Sequence, residues 1–116
     1  ANAAYYDAAF RDIPGVRVPP RNNKIKGVYL LYILFAKDRD ALMEHCITRG
    51  VSAKIHYPIA LYLQDALKFL GHRKGDFPVT DRHVETMISF PVDQHLSGEE
   101  MEYVIETVRD FYAGKN

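Results

Sequence analysis

The chain has 116 residues, is 47% hydrophobic, and carries 15 basic and 15 acidic side chains that cancel. That is the size of one domain, residues 1–116, with apolar content for a core that buries about two-thirds of the unfolded surface. The balanced charge gives no footing for a nucleic-acid or membrane partner, and the lone Cys46 excludes an internal disulfide and any multi-cysteine metal site.

One cysteine fits a reducing compartment. The longest strictly apolar run, residues 28–36, is far shorter than the roughly 20 residues that span a bilayer. The N-terminus shows neither the basic start nor the apolar core of a signal peptide. A soluble, cytoplasmic chain is the expectation. The opening Ala1-Asn2-Ala3-Ala4-Tyr5-Tyr6 is already helix-prone, with only Asn2 to cap it and no methionine. It reads as a chain cut at the head of a helix, which suggests a piece of something larger or a cloned segment.

Residues 3–12 read as a helix, with Tyr6, Phe10 and Ile13 on one face and Pro14-Gly15 as the stop. Residues 16–18 alternate briefly before Pro19-Pro20 and allow an edge strand at most. Arg17, Arg21, Lys24 and Lys26 belong to a polar loop, as do His72, Arg73 and Lys74 later. The run 28–36 is β-branched and aromatic, apolar at every position, and predicts a central strand buried on both sides.

Asp38 is placed to cap a helix over 39–49, with Leu42 and Cys46 on its inner stripe and Gly50 as a left-handed stop. Cys46, mid-helix among apolar neighbours, is poorly placed to be a thiolate. His45 reads as a partly exposed helix residue. Residues 51–56 alternate: Val51, Ala53 and Ile55 on one face, Ser52, Lys54 and His56 on the other. Leu63, Ala66, Leu67 and Leu70 predict an amphipathic helix over 61–70 closed by Gly71.

A short helix follows Asp76-Phe77-Pro78-Val79, with Thr80 or Asp81 as its cap and Val84 and Met87 inward. Residues 88–90 make a short strand ended by Pro91. Ser97-Gly98-Glu99-Glu100 is a capping box, with Leu96 and Met101 as a hydrophobic staple. Met101, Val104, Ile105, Val108, Phe111 and Tyr112 form the stripe of the last helix, and Gly114 its stop. The fold class is α/β in composition and α+β in layering: a small, mostly antiparallel sheet of about three strands with helices on one face.

The triplet His56-Tyr57-Pro58 sits where a strand gives way to a helix. Pro58 biases Tyr57 towards extended geometry and cannot donate to a ladder, so the strand should end there. Such junctions often carry ligand-facing groups. Lys54 and His56 share the polar face, suited to an anionic or hydroxyl-rich ligand. The plainer alternative is that this face meets water, with Tyr57 over the core. Asp93 to His95 follow a proline-ended strand and can also face a cleft. No glycine-rich phosphate loop and no G-x-S-x-G elbow occurs, and His45, His56, His72, His83 and His95 show no close metal spacing.

IHYPIALYLQDALKFLG, with GDFPVTDRHVETMISFPVDQHLSGEEMEYVIETVRDFY after it, closely resembles the C-terminal part of the DegT/StrS family of sugar aminotransferases. PGVRVPP, VYLLYILFAKDRDALMEHCITRGVSAK and the opening AAYYDAAF extend the resemblance over nearly the whole chain. It implies the small domain of an enzyme with the aspartate-aminotransferase fold that uses pyridoxal phosphate (PLP). Such enzymes move an amino group, usually from glutamate, to a keto sugar nucleotide, and work as homodimers with active sites between subunits. The resemblance places the cofactor lysine in a large domain preceding the matched region, so 116 residues alone are expected to be inactive and to bind no cofactor. It places His56 and Tyr57 on the substrate side of the cleft and Lys54 near an anionic group of glutamate or the sugar nucleotide. One position departs: members commonly carry a histidine in the central strand near Leu31, where this chain has leucine.

Two function classes follow: the small domain of a transaminase, or a free-standing binding or regulatory module that has kept the fold and lost the chemistry. An apolar patch on the uncovered sheet face favours the first, and a polar, hydrated face the second.

Overall fold

The computed structural model describes residues 1–115. In chain order it contains α1 (Asn2–Phe10), β1 (Val16–Arg17), β2 (Tyr32–Ala36), α2 (Arg39–Thr48), α3 (Pro78–Thr86), β3 (Met87–Phe90) and α4 (Gly98–Ala113), with two short 3-10 helices, Leu61–Leu63 and Asp65–Leu70, before α3. The sheet is antiparallel throughout, in the order β1-β2-β3.

Tyr32 pairs with Phe90 and Leu34 with Ile88, so these four side chains share one face of the sheet. All are buried, and α1, α2 and α4 pack there. Tyr6, Phe10 and Tyr32 form a cluster of tilted rings, with Phe10 stacked on Phe90 at 5.9 Å between centroids. Leu42 and Cys46 from α2 and Ile105 and Val108 from α4 complete the core. Burial pushes the Cys46 thiol up to about 11, so it is protonated and inert at neutral pH.

The opposite face carries Ile33 paired with Ser89 and Phe35 with Met87. It is only partly covered. Phe35 lies between the Arg17 guanidinium, 4.2 Å from its centroid, and the His83 ring of α3 at 4.5 Å.

The best-signalled element is α4. Ser97 accepts from the Glu100 backbone N–H at 3.1 Å, and the Glu100 carboxylate accepts from the Ser97 N–H at 2.8 Å, a complete capping box. Gly50 and Gly71 both close their helices with positive φ.

Several expectations are corrected. The central strand begins at Tyr32, not residue 28. Val28 and Leu30 are 93% and 92% exposed, because no strand among the described residues pairs with them. Residues 51–56 do not form a strand. Val51 and Ala53 are buried and Ser52 and Lys54 exposed, as alternation requires, but pairing is limited to one bridge, Lys54 to Ser89. The third strand is β1. Residues 61–70 are two 3-10 segments broken at an extended Gln64, not one α-helix. Phe77 occupies the cap position of α3 and Pro78 its first turn, in place of a Thr80 or Asp81 cap. Asp38 precedes α2 in a left-handed conformation and makes no side-chain cap bond. Gly114 closes α4 with φ −70°, not in the left-handed region.

Candidate functional site

The Lys54–Ser89 bridge decides where the polar side chains go. Lys54 N donates to Ser89 O at 3.0 Å, and Ser89 N donates to Lys54 O at 2.8 Å. Directly opposed residues of an antiparallel pair project to the same side, and so does the residue two further on. Lys54, His56 and Ser89 therefore share the incompletely covered face. Ser89 is 3% exposed. His56 Nδ1 lies 3.1 Å from its hydroxyl, which fixes the ring and leaves Nε2 for the cleft.

These residues line an open cleft of about 350 Å³, walled also by Leu30, Leu31 and Asp93. A second cavity of about 590 Å³ adjoins it, sharing Leu30, Val92 and Asp93 and continuing to Tyr29, Gln94 and His95. The structure thus brings Lys54 and His56 together, and Asp93 to His95 to the neighbouring hollow. It does not bring Tyr57 into the cleft wall. That side chain is 70% exposed, with its ring edge-on to His56 at 5.8 Å. A larger hollow of about 680 Å³ at the start of α4 is lined by Glu99 and Glu100 and by no cation, so it is a poor anion site.

The cleft offers a cation, an imidazole and an apolar wall. It can receive an anionic or carbonyl group. The one hydroxyl buried there, Ser89, is 3% exposed, so it is not presented to a bound group. The residues do not fit PLP by themselves. The cofactor needs a phosphate cradle as well as a lysine and a partner for its ring nitrogen. Here no arginine lines the cleft, no helix starts at it, and the Lys54 side chain is exposed. Sequence reasoning missed Ser89. The signal was present: in 88–90 it is the polar residue between Ile88 and Phe90, and so faces away from the core.

On the core side of the sheet, Asp7 of α1 is buried and holds three donors. Arg21 Nε and Nη2 each reach a carboxylate oxygen at 2.9 Å, and the Tyr32 hydroxyl donates at 2.8 Å. Burial pushes the Asp7 carboxyl up. The hydrogen bonds from Arg21 and Tyr32 and the Arg21 charge outweigh it and hold it below the usual range.

Comparison with known proteins gives a consistent picture. Residues 1–109 match the DegT/DnrJ/EryC1/StrS aminotransferase family. The erythromycin biosynthesis sensory transduction protein EryC1 of Saccharopolyspora erythraea is 33% identical over 107 residues, 92% of this chain and 29% of that protein. The dTDP-3-amino-3,6-dideoxy-alpha-D-galactopyranose transaminase of Aneurinibacillus thermoaerophilus is 27% identical over 109 residues, 94% of this chain and 29% of that protein. Among solved structures, S. venezuelae DesV, in complex with a ketimine intermediate, superposes with a TM-score of 0.90 at 26% identity, covering 95% of this chain and 30% of DesV. A family aminotransferase from Brucella abortus gives 0.85 at 26% identity, covering 95% of this chain and 29% of that one. The chain spans less than a third of the length of these relatives.

Proposed function

We propose, because this chain belongs to the DegT/DnrJ/EryC1/StrS aminotransferase family, that it is the C-terminal small domain of a PLP-dependent sugar aminotransferase. The intact protein moves an amino group from glutamate to a keto sugar attached to a nucleotide, and does so as a homodimer. The observation that carries this reading is the match over residues 1–109 together with a share of only 29% of each of the two curated relatives named above. The cofactor, which would supply the electron sink for transamination, belongs to the preceding large domain in this reading.

The role of this chain is to build one wall of the substrate cleft. Lys54 offers a cation to an anionic group of glutamate or of the sugar nucleotide. His56, braced by Ser89, offers Nε2 to a carbonyl or hydroxyl oxygen, and Tyr57, outside that wall, reaches substrate only from the exposed side of His56. The exposed apolar side chains Val28, Leu30, Leu61 and Phe69 favour a domain that meets further protein over a free-standing module.

The test is amino transfer by the complete protein. With PLP, ¹⁵N-glutamate and a panel of dTDP- and UDP-linked keto sugars, the reading requires ¹⁵N in one sugar nucleotide. Failure across the panel by a PLP-loaded, folded protein contradicts it and favours a non-catalytic module.

A further inference from the structure

Residues 18–31 contain no helix or strand, and every residue from 21 to 30 is exposed. Yet this segment ends in Leu30 and Leu31, which wall the cleft of Lys54 and His56. Something must hold it. Within the segment the backbone supplies one turn bond, Ile25 N to Asn22 O. The stronger tie is Arg21. Its guanidinium forks onto buried Asp7 through two bonds of 2.9 Å and lies 5.2 Å from the Tyr29 ring centroid and 5.8 Å from that of Tyr32. A bidentate fork stacked on aromatic faces is a rigid geometry that lysine cannot copy. The same side chain thus grips α1 at one end of the segment and Tyr29, next to the cleft wall, at the other. Asp7 is a carboxylate committed to the interior of a short helix, a costly placement unless its partners are fixed.

We infer that Arg21, clamped by Asp7 and stacked on Tyr29, is a positioning residue that sets the Leu30–Leu31 wall of the cleft. Loss of the clamp frees residues 22–31, opens the wall beside His56 and weakens binding of the acceptor without touching the reacting atoms. As a statement about substrate it rests on the reading of this cleft given above. As a statement about geometry it does not.

The experiment uses the complete protein, as wild type, Arg21→Gln, Arg21→Lys and Asp7→Asn. Hydrogen exchange is read over residues 22–31, and diethyl pyrocarbonate labelling of His56 is read against His45. Arg21→Gln is the informative variant, because the Arg21 side chain is 35% exposed and its loss should not unfold the domain. The expected result is exchange about tenfold faster at Lys24 and Ile25, the hydrogen-bonded amides of 22–31, and His56 labelling several-fold faster, with α4 exchange and His45 labelling unchanged. Arg21→Lys keeps the charge without the fork and recovers little. For the keto sugar nucleotide that turns over, KM rises while kcat is kept. A folded Arg21→Gln protein with unchanged exchange or unchanged His56 labelling overturns the inference, as does full recovery by lysine. Absence of transamination in the wild type sinks the functional reading instead and leaves the exchange and labelling results to decide the clamp.

Discussion

His56 Nδ1 and the Ser89 hydroxyl lie 3.1 Å apart across the Lys54–Ser89 bridge, and this contact ties the candidate binding wall to the sheet. Because Ser89 is buried and on β3, it moves only with the core, and the imidazole inherits that rigidity. Ser89→Ala removes the tether but not the fold. The expected cost is about 1 kcal/mol of stability, with a wider spread of His56 ring conformations. Urea unfolding reads the first, and ¹⁵N shifts of the imidazole the second.

Gly15 has φ +87°, and a Cβ there would lie 2.5 Å from Tyr112 Cε1. The Tyr112 hydroxyl donates to Lys37 O at 2.7 Å, and Lys37 N donates to Gly15 O at 2.8 Å, so the ring cannot easily retreat. Gly15→Ala should therefore destabilise by about 2–4 kcal/mol, from left-handed strain plus overpacking. A loss below about 1 kcal/mol in denaturant unfolding contradicts the packing described.

The Asp7 carboxyl is held below its ordinary value of 3.8, because the Arg21 and Tyr32 bonds outweigh burial. A depressed carboxylate contributes stability that is complete above its unfolded pKa and is lost as pH falls through the folded one. Wild type should thus lose stability below about pH 4 more steeply than Asp7→Asn, which lacks this titration. Parallel acid limbs for the two proteins would count against the ion pair.

Ser97→Ala removes the arm of the capping box that accepts from the Glu100 N–H, leaves the backbone N–H at position 97 bonded to the Glu100 carboxylate, and should cost about 1 kcal/mol. Glu100→Gln retains an acceptor and should cost less. Equal effects of the two would mean that the Glu100 charge contributes as much as the Ser97 hydroxyl bond.

Much of this molecule was legible in its residues, in an uneven way. The capping box and apolar stripe of α4 specify that helix locally and leave nothing to tertiary context. The alternation of 51–56 foretold which side chains are buried and put Lys54 beside His56. It could not foretell that backbone pairing would stop after one bridge, since burial and ladder formation share a period. Val28 to Leu31 have strand composition but find no pairing strand within the described residues, and composition does not report whether one exists. The stripe in 61–70 was a true apolar pattern, yet none of those residues is buried. A helix of about ten residues is marginal without a surface to pack on, and 3-10 turns result. Pro78 in the first turn of α3 was readable as a start signal and outweighed the polar residues after it. The Asp7–Arg21–Tyr32 clamp joins positions 14 and 25 residues apart, and no local pattern announces it.

The central claim is that the Lys54–His56 wall meets substrate in a working aminotransferase. The most direct measurement is steady-state kinetics of the complete protein carrying His56→Ala, for glutamate and for the keto sugar nucleotide that turns over. The account predicts a drop of about tenfold or more in kcat/KM for at least one of the two substrates, with the fold intact. Unchanged kcat and KM for both would contradict it.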